Sequence, residues 1–237
     1  GGPAASVSDG RVLEGNTIFR SLTLTVTLSA ATTQQVTVGF FTAGGTAEPG
    51  VDYVAVGKGS VVFEPGETVQ SLAITVNGDG ADEDDETFNV ILENPVNATI
   101  GDGLGVGTII DDDPLPLIEV ADAEISEGDG GASVLTFTVS LSLESGREVR
   151  ASYATVDGTA SAGSDYQPAS GALLFLPGES SHTIAVTVNG DLLPEPDESF
   201  GLVLSGLANA GAGDLQATGL IRSDDPPLAL YLPLVAR

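Results

Sequence analysis

The sequence predicts an all-β chain built as two tandem antiparallel β-sandwiches of about seven strands each. Three observations predict it. Gly (31 residues), Thr and Val dominate while Lys is nearly absent, a turn-rich composition that suits strands better than helices. Apolar and polar residues alternate with a period of two, the spacing of a strand with one buried face. The chain also repeats itself. Gly45-Thr46-Ala47 followed by Asp52-Tyr53 returns 113 positions later as Gly158-Thr159-Ala160 followed by Asp165-Tyr166. Phe63, Pro65, Gly66 and Glu67 return 112 later as Phe175, Pro177, Gly178 and Glu179, and Thr75-Val76-Asn77-Gly78-Asp79 returns as Thr187-Val188-Asn189-Gly190-Asp191. One deletion accounts for the change of offset. The expected units are residues 1–114 and 115–227, joined through Asp113-Pro114-Leu115-Pro116, with an apolar tail at 228–237.

In the first unit, strand A is expected near 6–8. Strand B follows at 22–28, where Leu22, Leu24, Val26 and Leu28 alternate with Thr23, Thr25 and Thr27. Val36, Val38 and Phe40 mark strand C at 35–41. Strand D at 60–64 runs into the turn Glu64-Pro65-Gly66-Glu67, and Leu72, Ile74 and Val76 mark strand E at 70–76. Phe88, Val90 and Leu92 mark strand F at 87–92, and strand G spans 104–110. The second unit repeats the pattern, with Leu135, Phe137, Val139 and Leu141 in its strand B and Ile184, Val186 and Val188 in its strand E. Seven strands in about 100 residues suit a sandwich.

The formal charge is -27, from 34 acidic and 7 basic residues. Nucleic acid and anionic membrane are therefore not expected as partners, since both need a basic surface. No run of eighteen apolar residues offers a transmembrane segment. With no Cys, disulfides and thiolate metal sites are excluded. The first residue is Gly, so a processed chain or a fragment of a longer one is expected, and no signal peptide is seen.

The acids are unevenly placed. Between Asp79 and Glu86 six of eight residues are carboxylates, which disfavour one another's ionisation unless a cation joins them. If consecutive strands run antiparallel, the A-B, C-D and E-F connections share one end of the unit, and strand G finishes there. The A-B segment carries Glu14, the C-D segment Asp52, the E-F segment the cluster, and Asp111, Asp112 and Asp113 follow strand G. Eleven of this unit's seventeen acids thus meet at one pole. Oxygen ligands from four loops, without His or Cys, favour calcium over zinc, copper or magnesium.

These motifs together resemble the Calx-beta family, twice in tandem. The resemblance rests on the Glu-Gly after strand A, Gly-Thr-Ala before Asp-Tyr, Phe-x-Pro-Gly-Glu, Glu-x-Phe entering strand F and the Asp-Asp-Asp-Pro exit, and it reaches residue 226. It implies an immunoglobulin-like sandwich and calcium at this pole. By position it implies Glu14, Asp52, Asp79, Glu83, Glu86, Asp111, Asp112 and Asp113 as ligands in unit 1, with Ala81 contributing its carbonyl. In unit 2 it implies Glu127, Asp165, Asp191, Glu195, Glu198, Asp224 and Asp225. Unit 2 departs where Ser223 stands opposite Asp111 and Pro194 and Pro196 replace Asp82 and Asp84, so weaker binding is expected there. Asp82, Asp84 and Asp85 are expected to be mostly solvated or to supply electrostatic attraction only.

An enzyme is not expected. His182, the only histidine, lies in a strand run, and eight Phe, four Tyr and no Trp make a poor sugar-binding cleft for paired carboxylates. Asn97-Ala98-Thr99 fits a glycosylation sequon. The tail, Leu228-Ala229-Leu230-Tyr231-Leu232-Pro233-Leu234-Val235, reads like the opening strand of a further repeat, whereas unit 1 opens with the smaller Ala4-Ala5. Strand donation from the tail to the N-terminal unit of the next molecule would give head-to-tail filaments; the competing readings are a strand packed along its own unit 2 and a retained sorting segment. The expected function is a secreted or cell-surface calcium-binding structural or adhesive module pair. The alternative is a regulatory calcium sensor within a larger protein, where an ion beside the Pro114-Pro116 joint changes the angle between units.

Overall fold

The structure, a computed structural model, describes residues 2–16 and 18–225. The tail at 228–237, with its expected strand donation, lies outside the described residues. The chain divides into two compact units between Pro114 and Leu115. Every regular element among the described residues is a strand, eighteen in all and nine to a unit.

Unit 1 contains β1 (Ala4–Val7), β2 (Gly10–Leu13), β3 (Arg20–Leu28), β4 (Val36–Gly44), β5 (Gly59–Phe63), β6 (Val69–Val76), β7 (Glu86–Val96), β8 (Thr99–Asp102) and β9 (Leu104–Ile110). Its sheets have the orders β6-β3-β1-β8 and β2-β9-β7-β4-β5. Unit 2 repeats this with β10 (Leu117–Val120), β11 (Ala123–Ser126), β12 (Gly131–Leu141), β13 (Val149–Asp157), β14 (Ser170–Phe175), β15 (Ser181–Gly190), β16 (Glu198–Ala208), β17 (Gly211–Ala212) and β18 (Gln216–Arg222). Its sheets are β15-β12-β10-β17 and β11-β18-β16-β13-β14.

The alternation carries the core. Leu22, Leu24, Val26 and Leu28 are buried on β3, and Leu135, Phe137, Val139 and Leu141 are buried on β12. Tyr53 stacks on Phe88 at 4.4 Å between ring centres, and Tyr166 on Phe200 at 4.2 Å. Each pair anchors the C-D connection and the start of strand F beneath the acidic end.

The expected seven strands become nine, and not every pairing is antiparallel. Strand A does not stay in one sheet. β1 pairs antiparallel with β3 and parallel with β8, while β2 has crossed to pair in parallel with β9. The crossing is held where Thr25 N–H donates to Ser8 Oγ at 2.9 Å and Val106 N–H donates to Asp9 Oδ1 at 2.8 Å. Gly10 follows because a Cβ there would stand 2.8 Å from the Thr23 carbonyl oxygen. The other extra strand, β8, folds back after Asn97, which adopts a positive φ of 61° and donates its side-chain amide to the Gln35 carbonyl at 2.9 Å. Asn209 repeats both features without a sequon, so this Asn serves the turn.

Candidate functional site

Because β2 and β9 run in parallel, they deliver Glu14 and Asp111 side by side, with Glu14 N–H donating to the Ile110 carbonyl at 3.1 Å. The A-B and E-F loops touch below them. A Cβ on Gly78 would lie 1.7 Å from the Gly15 carbonyl oxygen, so only glycine allows this approach. Gly190 holds the same place against Gly128 in unit 2. Asn77, beside Gly78, donates to the Val51 carbonyl and braces the C-D loop, as Asn189 does toward Gly163 and Ser164.

Four loops therefore meet at the pole of unit 1, and they form two carboxylate triads. Glu14, Asp111 and Asp113 place one oxygen each within 4.8 Å of the others, as do Asp52, Glu83 and Glu86. Glu14 and Asp113 are buried, 5% and 8% exposed, and Glu14 Oε1 and Asp113 Oδ2 have no hydrogen-bond partner. An unpaired buried carboxylate oxygen is costly and fits a cation. Hard oxygens from flexible loops suit calcium, which accepts six to eight of them.

The electrostatics agree. Burial pushes Glu14 up to about 8, reinforced by Asp79, Asp111, Glu83 and Asp113. Burial also pushes Glu86 up to about 7, helped by its hydrogen bond to Asp52 and the charges of Asp52, Glu83 and Glu48. Glu83 and Asp113 are raised in the same way, burial first and neighbouring carboxylates after. Without a cation these crowded, half-dry carboxyls hold their protons more tightly than free ones, and a cation would favour their ionised forms.

The remaining expected ligands stand outside the triads. Asp112 Oδ1 accepts the Gly15 N–H at 2.9 Å and clamps the A-B loop. Asp79 Oδ1 accepts the Ala81 N–H at 2.8 Å, shaping the E-F turn while its charge acts on Glu14. Asp111 also accepts the Glu83 N–H at 3.1 Å, and its own N–H donates to Asp85. Asp82, expected in solvent, is only 2% exposed. Nothing in the strand pattern marks it. Asn16, which donates its side-chain amide to Asp113, also went unread. The repeated Asn-Gly-Asp was the visible signal for the loop-to-loop contact at Gly78.

In unit 2 one triad forms, Asp165, Glu195 and Glu198. Glu198 is raised by burial, then by Asp165, Glu195 and Glu127. Asp224 accepts the Gly128 N–H and Asp191 the Leu193 N–H, repeating the roles of Asp112 and Asp79. Glu127 is 7% exposed with Oε1 unpartnered, and Asp225 Oδ2 is unpartnered too. Ser223 stands where Asp111 completes the first triad of unit 1, so among the described residues no second triad forms. His182 lies on β15 against the Phe175 ring and 3.1 Å from Glu179, and belongs to none of the carboxylate triads.

Comparison with known proteins places these features. The Calx-beta domain family matches residues 7–113 and 110–225. Rat sodium/calcium exchanger 2 is 30% identical over 213 residues, covering 76% of this chain and 23% of the exchanger. The mouse extracellular matrix organizing protein FRAS1 is 30% identical over 186 residues, covering 73% of this chain and 5% of that protein. The chain thus spans a quarter or less of these relatives' length. Among solved structures, that of CBD12 from CALX1.2 covers 92% of this chain and all of its own, at 23% identity and a TM-score of 0.44.

Proposed function

The chain belongs to the Calx-beta family as a tandem pair of its domains, and from that premise we propose that it is a secreted or cell-surface calcium-binding structural module. Binding rather than catalysis is part of this proposal. The observation that carries it is the pair of triads in unit 1, with buried, unpartnered oxygens on Glu14 and Asp113. Calcium would be held by Glu14, Asp111 and Asp113 at one position and by Asp52, Glu83 and Glu86 at another. Unit 2 would hold one ion between Asp165, Glu195 and Glu198. Bound ions fix loops that otherwise repel one another, so the expected product is stiffness.

The names of the relatives support two settings. An extracellular matrix protein favours the structural one, and an exchanger favours a regulatory sensor within a larger chain. A large calcium-dependent change in solution scattering would select the sensor. Head-to-tail assembly through 228–237 is the finer part of the proposal. β1 already has β3 and β8 on either side, so the acceptor would be one of the free sheet edges. Polymers that survive deletion of 228–237 would rule the tail out.

Calorimetric titration of the metal-free protein tests the site, with affinities expected near 10⁻⁴ to 10⁻³ M as in extracellular modules. Glu14→Gln and Glu86→Gln should each remove one binding event. Unchanged stoichiometry in Glu86→Gln combined with Asp112→Asn would overturn the assignment.

A further inference from the structure

The two units fold the same loops from different residues, so each shows what the other has replaced. In unit 1 the E-F loop is tied to the end of β9 through Asp111, whose N–H donates to Asp85 Oδ1 and whose Oδ1 accepts the Glu83 N–H, both at 3.1 Å. Unit 2 lacks that carboxylate. Ser223 stands in the place of Asp111, and its hydroxyl oxygen has no hydrogen-bond partner. One residue earlier, where unit 1 has the apolar Ile110, unit 2 has Arg222, the last residue of β18. Its guanidinium holds two carboxylates. Nη2 and Nε donate to Glu124 Oε2 on β11 at 2.7 and 3.3 Å, and Nη1 donates to Asp197 Oδ2 at 3.4 Å. Asp197 is the counterpart of Asp85 and sits between Glu195 and Glu198, two of the three carboxylates of the unit 2 triad. Because Glu198 pairs with Ile221, Asp197 falls directly across from Arg222. Unit 1 cannot build this clamp, since Arg11 stands where β11 has Glu124.

We propose that Arg222 is a positioning residue for cation binding in unit 2. Its planar fork ties the E-F loop to β11 and so presents Glu195 and Glu198 to Asp165, doing there what the Asp111 carboxylate does in unit 1. The inference rests on the reading that Asp165, Glu195 and Glu198 hold calcium. A loop carrying Asp191, Glu195, Asp197 and Glu198 repels itself, and a fixed cation on Asp197 offsets that repulsion without engaging the triad. Arginine suits the task, because a guanidinium offers donors on separate edges of a rigid plane, whereas an ammonium is a point charge. Exposed ion pairs add little to the stability of a whole domain, so the effect belongs to the loop and not to the fold. The sign of the effect separates positioning from charge. A positive group near a cation site repels the cation, so by charge alone Arg222 would weaken calcium binding. Positioning strengthens it.

Calcium titration of the full chain followed by NMR tests this, because the amides of Glu195 and Glu198 report unit 2 and those of Glu83 and Glu86 report unit 1 as an internal control. Arg222→Gln should weaken calcium binding in unit 2 by about threefold or more and leave unit 1 unchanged. In the metal-free protein it should lower the backbone order parameters of 191–197. Arg222→Lys keeps the charge without the fork and should fall between the parent and Arg222→Gln. Adding Arg222→Gln to Asp197→Asn should cost nothing further, since the clamp is already broken. Arg222 is exposed, so these variants retain the fold, and unshifted amides in β12 and β15 verify it. Tighter or unchanged calcium binding in Arg222→Gln would overturn the proposal, as would order parameters that do not change. A parent chain whose Glu195 and Glu198 amides ignore calcium would instead overturn the reading of the triad as a calcium site, and the positioning role with it.

Discussion

Glu14 is the residue on which the acidic pole of unit 1 turns. It is buried, lacks a partner at Oε1 and has its carboxyl pushed from 4.5 up to about 8, by burial first and by four neighbouring carboxylates after. A carboxyl raised in the folded state holds its proton more tightly there than in the unfolded chain. Its contribution to stability is complete below about pH 4.5 and is lost as pH rises through about 8. Glu86, raised to about 7, acts in the same direction. The metal-free protein should therefore melt at progressively lower temperature between pH 5 and pH 9, which thermal scans will measure. Calcium needs the ionised form, so its affinity should rise with pH over the same window, with protons released on binding. Glu14→Gln should raise the melting temperature of the metal-free protein at pH 8 and lower that of the calcium-loaded protein. A carboxylate cluster can be counted in a sequence, but the burial that makes Glu14 differ from Asp84 is a property of folded loops.

At the scale of elements, the site depends on two close approaches. β2 must lie parallel to β9 to bring Glu14 beside Asp111, and the E-F loop must pass so close to the A-B loop that a Cβ on Gly78 would meet the Gly15 carbonyl oxygen. Gly78→Ala has no room without backbone movement, which at ordinary overpacking costs means about 1–3 kcal/mol of stability. It should also weaken calcium binding in unit 1 by separating Glu14 from Glu83 and Asp79, while Gly80→Ala, which meets nothing within 4 Å, should leave binding unchanged. Titration of both variants checks the contrast. Strand B, read from its alternation, matches β3 closely, because a half-buried strand writes its two faces into sequence. Strand A was legible only as a position. Its break at Ser8 depends on side-chain acceptors for N–H groups of distant strands, and no periodicity encodes those.

At the scale of the molecule, duplication has left two units with the same strand order and unequal poles. Unit 1 keeps two triads, and unit 2 keeps one because Ser223 replaces Asp111. Each ion bound only by the folded state adds RT ln(1 + [Ca]/Kd), about 1.4 kcal/mol at tenfold excess over Kd. Calcium should thus slow hydrogen exchange more in 1–114 than in 115–225, which peptide-level exchange measurements can follow unit by unit. Equal protection of both would contradict the unequal occupancy.

The sequence by itself determined the all-β class, the tandem repeat and the convergence of acids from four connections on one pole. Those features follow from period-two alternation, from self-similarity and from the direction in which antiparallel strands return. Tertiary structure decided which acids meet. It sorted Glu14, Asp111 and Asp113 from Asp52, Glu83 and Glu86, set Asp112 and Asp79 to holding loops and buried Asp82. The reason is distance. Alternation reports which way a side chain faces relative to its own strand, whereas ligand sets depend on what other strands, far along the chain, place beside it.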